Sequence, residues 1–185
     1  MEKIKKLKKA FKNEKINGYI VPKNDEFFGE YIPDYNDRLN FISKFSGTYG
    51  FALILEDKNY LFVDGRYTLQ ASRQSGRFFK IVTIPGKTPN DILKGKKISI
   101  GFDPKLITKK FLTIFFGKNK CKFKPITNNL IDEIWKRKVI KNKSKFFKLP
   151  NTSVSEGYKS KINKVSKFLK NKKAEFLFIT ASENN

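Results

Sequence analysis

The sequence predicts an α/β domain, a mixed sheet flanked by helices, followed by the start of a second, similar domain. Three observations carry this. Short apolar runs of strand length alternate with amphipathic helical segments along most of the chain. Two of those runs, Phe51–Leu55 and Tyr60–Asp64, are joined by the polar stretch Glu56-Asp57-Lys58-Asn59 and read as a β-hairpin. The second run ends in Asp64-Gly65-Arg66 and passes into the helical-looking TLQASRQS. Strand-to-helix junctions of this kind are where α/β proteins tend to place functional side chains.

The elements follow in order. Ile4, Leu7, Ala10 and Phe11 recur on one face of a helix whose other face is Lys and Glu. Gly18 is expected to end it. Tyr19–Val21 is a first strand, turned by Pro22. Residues 23–44 alternate acidic and aromatic side chains, and Asn36-Asp37 reads as the N-cap of a short helix with Leu39, Ile42 and Phe45 on one face. The clustered carboxylates either bind a divalent cation or cap helices and pair with lysines; their spacing matches no calcium loop. Gly47 and Gly50 suit a tight loop whose backbone turns or comes close to another group. Gly65 is expected to turn the backbone so that Arg66 projects.

Beyond the hairpin, Phe79–Ile84 is a strand and Thr88-Pro89 starts a short helix. Lys97–Asp103 is a strand, Thr108 caps a helix ended by Gly117, and Lys120–Pro125 alternates like an edge strand. Asn129 caps NLIDEIW. Lys136–Asn151 lacks periodicity and reads as a linker, dividing a domain of 1–150 from a remainder of 151–185. In the remainder, Ser153 or Ser155 is expected to cap a helix with Tyr158, Ile162, Val165 and Leu169 on one face, and Glu175–Thr180 reads as a strand. One helix and one strand leave their apolar faces uncovered, which suggests a truncated second domain.

The formal net charge is +23, from 40 basic and 17 acidic residues in a chain of 185. Such charge suits nucleic acid or an anionic surface. Here, however, the excess is lysine scattered along the chain, with only five arginines, the residue that reads bases and phosphates bidentately. The expectation is a compositional bias, with no nucleic-acid and no membrane partner. A single cysteine excludes an intrachain disulfide, the N-terminal stretch is no secretory signal, and no apolar run spans a membrane. These features fit the cytoplasm.

The chemistry is sparse. With no histidine, Ser-His-Asp and Cys-His systems and His-containing zinc sites are excluded. No phosphate-binding loop and no dinucleotide fingerprint is present. The expectation is no catalytic residue and no metal ligand in this chain.

Set side by side, VPKNDEFFGEY (21–31), DRLNFISKFSGTYG (37–50) and VDGRYTLQA (63–71) resemble the creatinase/prolidase-type N-terminal domain of aminopeptidase P. NLIDEIW (129–135) resembles the segment that closes this domain in three-domain, cytosolic-type enzymes, and FLFITASENN (176–185) the first strand of their second domain. The resemblance implies a non-catalytic domain that caps the active site of an Xaa-Pro metalloaminopeptidase, in a chain that stops before the catalytic domain. It implies two divalent metals, expected to be Mn²⁺, in that domain and none here. The implied partners are a peptide with proline at its second position, the catalytic domain itself and a second copy in a homodimer. Arg66, matching the Arg of the family's DGR motif, is implied to contact substrate. The match departs at Phe27 and Phe28, where the family often has His then Gln; a structural role there would survive as aromatic packing. Two other readings stay open: a basic module for nucleic acid or anionic surfaces, and an assembly domain of an inactive homologue.

Overall fold

A computed structural model describes residues 2–29, 31–137, 145, 147 and 149–179. They fall into two compact units, 1–139 and 140–185. The division lies inside the stretch expected to be a linker.

The first unit is built on six strands: β1 (Gly18–Pro22), β2 (Phe51–Leu55), β3 (Asn59–Asp64), β4 (Lys80–Ile84), β5 (Ser99–Phe102) and β6 (Lys122–Pro125), in the sheet order β4-β3-β2-β1-β5-β6. β2 runs antiparallel to both neighbours, while the pairs β3–β4, β1–β5 and β5–β6 are parallel. The hairpin is set by its register, Phe51 opposite Phe62, with the two rings stacked 4.8 Å apart.

Side chains alternate across the sheet, as a strand's two-residue period requires. Tyr19, Val21, Ala52, Ile54, Leu61 and Val63 face one core, and Ile20, Phe51, Leu53 and Phe62 face the other. The first core is closed by α1 (Glu2–Glu14), α2 (Arg38–Ser43), α3 (Thr68–Ser75) and α6 (Leu130–Ile134), which contribute Leu7, Phe11, Leu39, Ala71 and Leu130. The second core is closed on the side of α4 (Pro89–Ile92) and α5 (Lys109–Phe116), with Leu93 and Phe116.

Local sequence explains the ends of these helices. Asp37 accepts the Asn40 N–H, Thr108 that of Phe111 and Asn129 that of Ile131, each satisfying an orphan donor of a first turn. Thr88 and Asp91 form a reciprocal capping box around Pro89. Helix α1 does not run to Gly18. It ends at Glu14 because Lys15 takes a left-handed conformation (φ 52°) and the Ile16 N–H returns to the Phe11 carbonyl. Gly18 instead opens β1, where a Cβ would sit 2.6 Å from Leu55 Cδ2.

The second unit differs from the expectation. Helix α7 (Tyr158–Asn171) is present, but Gly157 and not Ser153 or Ser155 is its N-cap, and residues 151–153 form a 3₁₀ turn. None of its residues is buried. Residues 175–179 form no strand. A strand exists only through hydrogen bonds to a neighbour, and the described backbone pairs with none there; Thr180 lies outside the described residues.

Candidate functional site

Because β1, β3, β4, β5 and β6 run parallel, their carboxyl ends share one end of the sheet, the place where open α/β sheets hold ligands. Asp64 ends β3 there. Its carboxylate accepts the Arg66 N–H at 2.9 Å, which makes a 3₁₀ turn of residues 65–67 and delivers the chain into α3. The Arg66 side chain folds back on the same carboxylate. Its Nη2 donates to Oδ2 at 2.7 Å, and its Nε lies 3.2 and 3.3 Å from the two oxygens. One edge of the guanidinium is therefore engaged, and Nη1 has no partner among the described residues. The side chain is 76% exposed. The Arg66 hydrogen bond and charge hold the Asp64 carboxyl below its ordinary range, and the same bond raises Arg66.

A second layer braces this pair. The Tyr67 ring lies 5.4 Å from the guanidinium, meets Phe45 edge-on at 5.8 Å and bonds Thr48 Oγ1 through its hydroxyl at 2.7 Å. Gly47 permits this, since a Cβ there would fall 2.9 Å from the Tyr67 ring. Gly50 passes the Phe62 carbonyl so closely that a Cβ would be 2.7 Å from its oxygen. The expectation that the chain comes close to other groups at these glycines is met, by aromatic side chains at Gly47 and by backbone at Gly50. The expectation for Gly65 is not: its φ is not positive, and a Cβ there meets nothing within 4 Å. Asp64, acting as a cap, makes the turn instead.

The structure brings together a second polar group that the sequence reading missed. Arg38 is 2% exposed, and its guanidinium donates to Asp132 at 2.8 and 2.9 Å and to Glu26 at 2.7 Å. Arg137 joins it on Asp132, and its guanidinium also lies 4.8 Å from the Trp135 ring, which stacks on Phe41. Burial works against the Arg38 charge, but the Asp132 and Glu26 hydrogen bonds outweigh it and raise its pKa. Nearby, the Tyr19 hydroxyl is buried; burial, then the Asp103 charge, push it up, so it stays protonated. The signal for Arg38 was its residue type. In a lysine-rich chain an arginine marks a place that needs a planar fork, and Arg38, Arg66 and Arg137 all pair with carboxylates.

The acidic stretch is thereby explained. Asp25 accepts the Phe27 N–H, Asp37 caps α2 and pairs with buried Lys23, and Glu26 pairs with Arg38. Among the described residues no three His, Cys, Asp or Glu side chains gather in a way that would hold a metal. Glu30 lies outside the described residues. Phe27 is 75% exposed, so among the described residues it makes no aromatic packing in place of the family's His.

Residues 3–134 match the family model of the creatinase/prolidase N-terminal domain. The chain belongs to that family. The sheet and its flanking helices are those of a creatinase/prolidase N-terminal domain. Similar proteins include a probable Xaa-Pro aminopeptidase P of Laccaria bicolor, 34% identical over 72% of this chain but only 22% of that protein. One of Aspergillus niger is 30% identical over 97% of this chain and 31% of that protein. The structure is also similar to X-prolyl aminopeptidase of Caenorhabditis elegans, described as a cytosolic enzyme with a di-nuclear active site. The TM-score is 0.72 at 26% identity, covering 93% of this chain and 31% of that one. The chain thus spans less than a third of the length of each of these three proteins. Among the described residues no helix is long and apolar enough to cross a membrane.

Proposed function

We propose that this chain is the non-catalytic N-terminal domain of a metal-dependent Xaa-Pro aminopeptidase, and that it caps the active site and holds the peptide through Arg66. The two divalent metals, expected to be Mn²⁺, belong to a catalytic domain outside this sequence. Bound there, they would activate a water for peptide hydrolysis. The parent protein works in the cytoplasm as a homodimer, on peptides with proline in second place. Neither nucleic acid nor membrane enters this reading.

The observation that carries the proposal is the state of Arg66. It stands exposed at the carboxyl end of the parallel strands, oriented through one edge by Asp64, with Nη1 unengaged among the described residues. A proline-containing peptide offers backbone carbonyls and lacks one N–H. A donor-only side chain with a permanent charge suits it. The test is Arg66→Ala in the enzyme that contains this domain. Losing a charge-assisted hydrogen bond lowers kcat/KM by roughly ten- to a hundred-fold, with metal content and melting temperature unchanged. Arg66→Lys recovers only part, because a point charge does not replace the fork. A lowered melting temperature with normal kinetics would make Arg66 a structural ion-pair partner and end the proposal.

A further inference from the structure

Beside Asp64, on the side of the sheet away from Tyr67, lies an open cleft of about 360 Å³. Its walls are Tyr49, Asp64, Ile84, Pro85, Ile114 and Phe115, with Thr88 at the edge. Ile84 follows from the register: it lies opposite Asp64 in the β3–β4 pair, so the carboxylate and the apolar floor share one strand end. Phe115 is held at the back by Phe51 and Phe111, ring to ring at 5.0 and 4.9 Å. Ile114 is 55% exposed and Tyr49 46%, although both are large and apolar enough to favour burial.

The electrostatics of the lining select its occupant. The single charged wall is Asp64, and its oxygens already accept four hydrogen bonds from Arg66. A cationic side chain entering the cleft would lose its hydration without finding a free carboxylate. An anionic one would meet Asp64. An apolar side chain loses nothing and covers Ile84, Ile114 and Phe115. Asp64 belongs both to the cleft wall and to the Arg66 pair, so a peptide whose carbonyl is held at Arg66 passes the cleft mouth.

We infer that this cleft is a subsite for a large apolar side chain of the peptide, close in sequence to the carbonyl that Arg66 holds. The inference rests on the Arg66 reading only in taking a peptide to lie along this end of the sheet. It makes Tyr49 and Ile114 specificity-determining residues, which the sequence did not single out.

The experiment is a ¹⁵N–¹H shift titration of the 185-residue chain with two peptides, Ala-Pro-Phe-Phe-amide and Ala-Pro-Ala-Ala-amide. The phenylalanine peptide is expected to bind about tenfold more tightly, the range in which apolar pockets discriminate, with shifts at the amides of Tyr49, Asp64, Thr88 and Ile114. Ile114→Asn and Tyr49→Ser change exposed side chains, so the spectrum keeps its dispersion, and each brings the preference towards unity. Arg66→Ala weakens both peptides by one factor and keeps the preference. Equal binding of the two peptides, a preference that survives both cleft variants, or no binding of either peptide overturns the subsite. An Arg66→Ala chain that binds both peptides as well as the parent, with the preference intact, instead sinks the Arg66 reading and leaves the subsite standing.

Discussion

Arg38 and Arg66 both fork onto carboxylates, yet they sit in opposite surroundings. Arg38, buried at the start of α2, reaches Asp132, 94 positions away in the chain. Arg66 is exposed and paired with Asp64, two positions away. A buried guanidinium has no water to fall back on, so its partners hold the fold together, and burial keeps a ligand away even from Nη1, the one Arg38 nitrogen without a hydrogen-bond partner among the described residues. An exposed one paired locally costs the fold little to lose, and its free edge is available. The same residue type thus does structural work at one site and is open for recognition at the other.

The largest effect should come from breaking the first pair. Arg38→Ala leaves Glu26 and Asp132 without their buried partner and detaches α6 from the loop after β1. Because Glu26 and Asp132 each keep about a third of their side chain exposed and Asp132 keeps Arg137, a destabilisation of about 1.5–3 kcal/mol is expected, read as a lower denaturant midpoint. Arg66→Ala should leave that midpoint where it was. Equal midpoints for the two variants would erase the contrast.

Acid should act on the same network. Burial would raise Glu26, but the Arg38 hydrogen bond and charge, with Arg137, hold it below its reference value of 4.5. A carboxyl whose folded pKa is depressed contributes stability that is complete above the unfolded value. That stability is lost as pH falls through the folded one. Unfolding titrations from neutral pH to below 4.5 should show a loss that Glu26→Gln makes smaller. A loss of equal size in Glu26→Gln would assign the acid sensitivity to other carboxyls.

The contrast also explains what was legible beforehand. The caps at Asp37, Thr88, Thr108 and Asn129 were read correctly, because a cap is a local arrangement of one side chain and the next turn. The hairpin and the DGR junction are local too, and the family resemblance rests on such short segments. Arg38 and Asp132 meet only after the whole sheet has formed, and nothing near either residue announces the other. The cleft beside Asp64 is assembled from β3, β4, α5 and the loop before β2, so it was equally hidden. Residues 175–179 failed in the reverse direction. Their apolar, β-prone composition is real, but propensity becomes a strand only against a partner.

The finest separation of the two roles lies within the Asp64–Arg66 pair. Asp64 does two things: one oxygen accepts the Arg66 N–H and closes the turn, and the carboxylate as a whole orients the guanidinium. Asn at this position keeps an acceptor for the N–H but removes the charge. Asp64→Asn should therefore leave the melting temperature unchanged while weakening peptide binding only a few-fold, less than Arg66→Ala, since the fork remains but swings more freely. The pH profile distinguishes orientation from direct contact. Arg66 holds the Asp64 carboxyl below its reference value of 3.8, so the pairing is complete above that pH and lost as pH falls through the lowered folded value. Peptide affinity in the parent should be flat across the neutral range and fall only in strong acid, whereas Asp64→Asn should lack that acid fall. If Asp64→Asn instead matches Arg66→Ala in full, the carboxylate itself contacts the peptide, and the positioning role assigned to it here is wrong.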